Sequence, residues 1–234
     1  MKNLFKLAVP TIVAAVATLS TAANAAVVQF DLEDVTNGGG FFSKVTITDT
    51  VAGTVRIVAD IADPINLNLS KGDIVELGLG ISDASLLSGM AYSNAVGTGT
   101  DGSGNDITID PLTFADTCFS ENNCDVFSGG GNQGKGFDMS FQFGQGGGSD
   151  GTFFQTVEFD LSSVGLTATA FLNQDAGLRV QSIEGVSTFT KGSSKLAGDG
   201  DPAPSTVPEP SSLALLALGL AGVCLSRRKL ALRK

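Results

Sequence analysis

Phe137-Asp138-Met139-Ser140-Phe141-Gln142-Phe143 alternates large apolar and polar side chains without a break. Successive side chains of an extended backbone point to opposite faces, so this pattern makes one apolar and one wet face. A helix would scatter the same residues around its circumference. The apolar stripe is expected in a core rather than on an exposed platform.

The same period recurs outward from this stretch. Val27-Val28-Gln29-Phe30-Asp31-Leu32 alternates, as do residues 44–48 and 54–58, which a turn at Ala52-Gly53 separates. Residues 157–161, 166–170 and 178–183 follow the pattern too. Residues 73–82 set Ile74, Glu76, Gly78 and Gly80 opposite Val75, Leu77, Leu79 and Ile81. About eight short strands punctuated by Gly, Asn and Asp predict an all-β fold, an antiparallel β-sandwich or jelly roll. No period of about twenty to fifty residues repeats, which disfavours a solenoid or propeller. The Gly-rich segment 128–151 lacks the Lys-Ser/Thr of a phosphate loop and reads as hairpin loops. Residues 191–206, rich in Ser, Gly, Asp and Pro, read as a linker.

The two ends differ from this middle. Lys2 and Lys6 precede an apolar run, and Ala23-Asn24-Ala25 supplies small residues for signal peptidase. Residues 1–25 therefore read as a signal peptide cleaved between Ala25 and Ala26. At the other end, Val207-Pro208-Glu209-Pro210 leads into apolar residues 211–226, then Arg227, Arg228, Lys229, Arg233 and Lys234. As a helix, 211–226 spans about 24 Å, enough for a thin bilayer with its basic end cytoplasmic. The prolines remove two backbone donors and hold the motif extended, as a protease substrate must be. The resulting order is a signal peptide (1–25), a β domain (26–190), a linker (191–206) and a tail (207–234).

This tail resembles the PEP-CTERM sorting signal in all three of its parts. The resemblance implies that Val207, Pro208, Glu209 and Pro210 form the motif of an exosortase-type transpeptidase, with Arg227, Arg228 and Lys229 as basic anchor. It implies an exported protein of a Gram-negative bacterium, held in the inner membrane as precursor and then released to the surface or outside. A role linked to exopolysaccharide, biofilm or extracellular matrix is also implied. Residues 177–183 and 192–198 resemble a segment that precedes the tail in many such proteins, which implies a strand closing the sandwich.

Charge and composition bound the chemistry. The 24 acidic residues lie between Asp31 and Glu209, whereas seven of the 14 basic ones lie in the two ends. The segment from Ala26 to Val207 thus sets seven basic residues against 23 acidic, a formal charge of −16. Such a surface repels nucleic acid, whose binding needs cations to displace counterions. Histidine is absent, which removes His-based nucleophilic catalysis and His-ligated metal sites. With no Trp and one tyrosine, Tyr92, the usual sugar-stacking rings are scarce. Cys118 and Cys124 are expected to pair in an exported chain.

No cofactor is expected. Asp101, Ser103, Asn105 and Asp106 alternate oxygen side chains as a calcium loop does. Asp106 stands where the EF-hand glycine belongs and Leu112 where its glutamate belongs, so an ordinary polar turn is favoured and any calcium would bind weakly. The expectation is a structural or adhesive, non-enzymatic protein. Its rivals are a carbohydrate-binding module and a glycoside hydrolase using a carboxylate pair from Glu76, Glu158 and Asp160.

Overall fold

The computed structural model describes residues 25–62, 64–126, 135–143, 151–190 and 192–202. The apolar run of the signal peptide, the sorting tail and its apolar segment, and most of the Gly-rich stretch lie outside them. Among the described residues no helix is long and apolar enough to cross a membrane.

The strands are β1 Val27–Asp34, β2 Phe42–Val51, β3 Thr54–Asp60, β4 Lys71–Leu79, β5 Ala91–Asp101, β6 Asp106–Ile109, β7 Asp116–Asp125, β8 Lys135–Gln142, β9 Thr152–Ser162, β10 Asp175–Glu184 and β11 Ser193–Pro202. Two 3₁₀ turns, η1 Ala84–Leu87 and η2 Ala168–Phe171, join them. All eleven strands hydrogen-bond into one sheet in the order β6-β5-β9-β3-β2-β1-β11-β10-β4-β8-β7. The fold is all-β and antiparallel, as the alternation predicts. Where a sandwich stacks two sheets, here a single sheet curls until β4 packs against β9, six places away in the strand order.

The curl encloses the apolar stripes. Phe30, Ile47, Ile57, Leu77, Phe141 and Phe159 are fully buried in one continuous core. Phe114 stands edge-on to Phe143 and Phe159, with centroids 5.0 and 5.1 Å away. Tyr92 stacks on its other side at 4.1 Å. Met139, Phe141 and Phe143 of the opening stripe join this core, whereas Phe137 packs with Cys124 and Val126 in a small separate cluster.

Three sequence expectations give way. Residues 166–170 were expected to form a strand, but the chain there makes the η2 turn, and Leu166, Ala168 and Phe171 are buried by it. In β4, Arg179 and Val180 of β10 face Glu76 and Ile74, leaving Val75 as an extra residue. That bulge turns Ile74 to the same side as Leu77 and Leu79, so strict alternation fails there.

The third correction concerns the linker. Ser193–Pro202 is a strand paired on both sides, with β1 and with β10. Its glycines serve close packing rather than flexibility. A Cβ at Gly198 would come within 2.7 Å of the Asp31 carbonyl, and one at Gly200 within 2.8 Å of the Phe30 ring. Both β10 and β11 therefore lie in the middle of the sheet, between β1 and β4.

Candidate functional site

The β1–β11 pairing brings both ends of the described chain to one pole. Val28 faces Pro202 in register, so the chain enters and leaves the sheet on adjacent strands. The β2–β3 hairpin closes the same pole: Val27 faces Thr48, and Gly53 makes the turn with φ 77°. Its N–H-accepting carbonyl takes Ser163 N at 3.0 Å, which brings residues 163–167 alongside. Val51 and Val164, 69% and 96% exposed, give this pole an apolar rim. Four residues separate Pro202 from Val207, so the predicted sorting motif begins at most about 18 Å from the folded sheet.

The backbone of Ala26 is fixed there. Its N–H donates to Asp49 Oδ2 at 3.2 Å, and its carbonyl accepts Asp49 N at 3.0 Å. Asp49 Oδ1 accepts Ala168 N at 2.7 Å and so holds the first residue of η2. Ala25 is exposed.

Of the carboxylates weighed for glycoside hydrolysis, two meet on one arginine and the third lies apart. Glu158 and Asp160 lie on the outer face of β9 and share Arg56 of β3. Arg56 Nη1 reaches Glu158 at 2.9 Å, and Nε and Nη2 reach the two Asp160 oxygens at 2.9 and 3.3 Å. Asn94, in the left-handed conformation at a bulge of β5, donates to Asp160 Oδ2 at 2.8 Å. The Arg56 hydrogen bonds outweigh the effect of burial and, with Asn94, hold the Asp160 carboxyl below its usual range. Glu76 sits on the outer face of β4. Since β4 and β9 pack through their inner faces, Glu76 points to the other side of the domain.

Glu76 belongs instead to a row that crosses five strands. Asp116 of β7 faces Gln142 of β8, Gln142 faces Glu76, Glu76 faces Arg179 of β10, and Arg179 faces Lys195 of β11. Burial is the main cause that pushes Glu76 up to about 7; Arg179 opposes it, while Asp125 and Asp116 add to it. At the basic end of the row lies a shallow polar depression lined by Thr36, Asn37, Arg179, Gln181, Ser193 and Lys195.

The calcium-like loop forms the β5–β6 turn. The Asp101 carboxylate accepts Ser103 N at 2.8 Å, Asn105 N at 2.9 Å and Asn105 Nδ2 at 2.9 Å. These bonds, chiefly from Asn105, hold its carboxyl below the usual range. The carboxylate thus organises its own turn. No group of three or more Asp, Glu or Cys side chains suited to a metal occurs among the described residues.

Cys118 and Cys124 form the expected disulfide. Between Phe119, which faces Met139, and Cys124, which faces Phe137, four residues of β7 leave the ladder. The disulfide closes that excursion.

Sequence reading missed Arg56, Asn94, Asp49 and Arg179, since the roles of all four arise from cross-strand register. Alternation put Arg56 on a wet face but gave no partner strand.

Residues 206–229 match the model of the PEP-CTERM protein-sorting motif. Comparison with curated proteins and with solved structures gives no match to the chain.

Proposed function

We propose that this chain, which carries a PEP-CTERM sorting motif and is thereby an exosortase-sorted exported protein, has a structural or adhesive role at the cell surface or in the extracellular matrix. The sorting motif is the observation that carries the reading. The acidic, histidine-free composition fits a self-repelling, soluble exported domain. The host is a Gram-negative bacterium. The precursor is held in its inner membrane by residues 211–226, with the chain-end pole of the sheet facing the bilayer and the basic tail inside. Signal peptidase removes residues 1–25, and exosortase cuts near Pro208-Glu209-Pro210.

Exopolysaccharide is the matrix partner in this reading. The polar depression beside Arg179 and Lys195 supports contact with an acidic polysaccharide, since it sets amides, hydroxyls and two cations on an otherwise acidic surface. The non-enzymatic reading is favoured over a glycosidase because Glu158 and Asp160 are engaged by one arginine while Glu76 points away from them.

Intact mass and terminal sequencing of the protein from its host, with and without the exosortase gene, test the sorting step. A chain starting at Ala26 and ending near Pro208 only when the enzyme is present supports it. A tail kept to Lys234 in both strains would make the tail a plain anchor and remove the support for a matrix role. For the role itself, deletion of the gene should lower the exopolysaccharide retained by the cells; unchanged retention counts against it.

A further inference from the structure

We propose that signal-peptide removal completes the pole of the domain, because the α-ammonium freed on Ala26 forms an ion pair with Asp49 and ties the new N-terminus to η2. This rests on cleavage between Ala25 and Ala26.

The geometry is in place before the cut. The Ala26 nitrogen already points its single N–H at Asp49 Oδ2, 3.2 Å away. Two further constraints keep that nitrogen where it is: the Ala26 carbonyl accepts Asp49 N at 3.0 Å, and Val27 is in register with Thr48. Hydrolysis adds one water across the peptide bond. Ala25 leaves as a carboxylate that takes the water oxygen, and both water hydrogens end on the Ala26 nitrogen, which becomes an ammonium. A neutral amide donor is thereby replaced, at the same position, by a cation with three donors. The bond, already charge-assisted through its carboxylate acceptor, becomes charged on both sides.

Among the described residues, little else competes for Asp49. Its Oδ1 holds Ala168 N at 2.7 Å, a neutral donor. η2 carries no charged side chain in its first or last turn. On β3, Arg56 faces the neighbouring Thr48 but is engaged by Glu158 and Asp160. The charged residues of β1, Asp31, Glu33 and Asp34, lie toward its far end, where Asp31 faces Lys44. The same carboxylate therefore clamps both the start of β1 and the start of η2, and cleavage turns one of its two bonds into an ion pair.

An α-amino group paired in the fold has its pKa raised. The resulting stabilisation is fully present below the unfolded value of about 7.7–8.0 and is lost as pH rises through the folded value.

The test uses the full chain, exported and processed in its host. The pH dependence of α-amine acylation, read by mass spectrometry of the N-terminal peptide, gives the α-amino pKa. It is compared in the wild type, in Asp49→Asn, and in a variant with one glycine inserted between Ala25 and Ala26. The insertion displaces the ammonium by one residue and leaves the Asp49–Ala168 bond intact. The expected result is a wild-type pKa about half a unit above both variants, the upper range for a partly exposed ion pair. A mature chain that begins at Ala26 with the same pKa as the insertion variant would overturn the pairing alone. A mature chain that begins elsewhere would overturn the cleavage reading as well.

Discussion

Asp138 holds the backbone N–H of Ile81 on Oδ2 and that of Asn122 on Oδ1, each at 2.8 Å. One buried carboxylate thus joins the end of β4 to the excursion of β7, and no strand ladder could supply either acceptor. Asp138→Asn keeps the shape but turns an amide donor toward one of the two N–H groups. A buried donor left without an acceptor costs about 1–3 kcal/mol. Asp138→Asn should therefore destabilise the domain by about 2 kcal/mol in urea unfolding, and Asp138→Ala by at least as much. A loss below about 0.5 kcal/mol would mean that water replaces the carboxylate.

The disulfide acts on the same excursion. A loop as short as that between Cys118 and Cys124 gives about 2 kcal/mol in the chain-entropy model. The effect should stay local, because Cys124, Val126 and Phe137 form a cluster apart from the main core. Reduction is expected to speed amide exchange in β7 while β1, β2 and β3 keep their protection. Equal loss of protection throughout would show that β7 is part of one cooperative unit with the main core.

That small cluster also restricts β4 from outside. A Cβ at Gly78 would overlap Val126 Cγ2 and come within 2.8 Å of the Phe137 ring. Gly78→Ala should cost about 1–3 kcal/mol, the usual range for overpacking, and Gly78→Ala combined with Val126→Ala should recover part of it. Thermal unfolding of the single and double variants decides the point; no recovery would place the clash elsewhere.

What could be read in advance followed side-chain period. The apolar faces of β1, β2 and β3 alternate cleanly, as do residues 139–143 and 157–161, and each becomes a wall of the core. The bulge at Val75 was invisible because one extra residue in β4 changes register without changing composition. β11 was misread for a related reason: glycine and serine suit a flexible linker and an over-crowded central strand alike, and only Phe30, Asp31 and Phe171 beside Gly198 and Gly200 distinguish them. Asp138 looked like the wet face of a strand, since its partners, Ile81 and Asn122, are 57 and 16 residues away in sequence. The disulfide was legible because its two cysteines are close in sequence and the chain is exported. How Glu76, Glu158 and Asp160 stand to one another was illegible at the same level as Arg56, because it depends on register and on which way a curled sheet turns its faces.

Among the described residues, Arg56 is the sole cation that pairs with Asp160, whose side chain is only 10% exposed. Removing it leaves Asn94 to satisfy a largely buried carboxylate. Arg56→Ala should destabilise the domain by about 1–2 kcal/mol, with the loss carried by Asp160 rather than by the exposed Glu158 contact. The pH dependence has a definite sign. The Asp160 carboxyl is held below its usual range, so its contribution is present above the unfolded value of about 3.9 and is lost as pH falls through the folded value. Arg56→Ala should therefore flatten the acid limb of the stability curve below about pH 4. A limb as steep as that of the wild type would assign acid sensitivity to other carboxylates.

Glu76 has the opposite sign. Burial pushes it up to about 7, against Arg179 across the ladder, while Asp125 and Asp116 push it further in the same direction. Between the unfolded carboxyl range near 4.3 and about 7 the folded state holds the proton that the unfolded state releases. Stability should then fall as pH rises through that window. At a half-buried site open to solvent screening, the loss is on the order of 1 kcal/mol. Glu76→Gln keeps the size and removes the titration, so urea midpoints at pH 5 and pH 8 should differ less in the variant than in the wild type. Arg179→Ala removes the counter-charge and should steepen the fall, provided Glu76 is retained. If Glu76→Gln leaves the difference between pH 5 and pH 8 unchanged, the pH dependence in this range comes from another group, and the row from Asp116 to Lys195 is electrostatically inert.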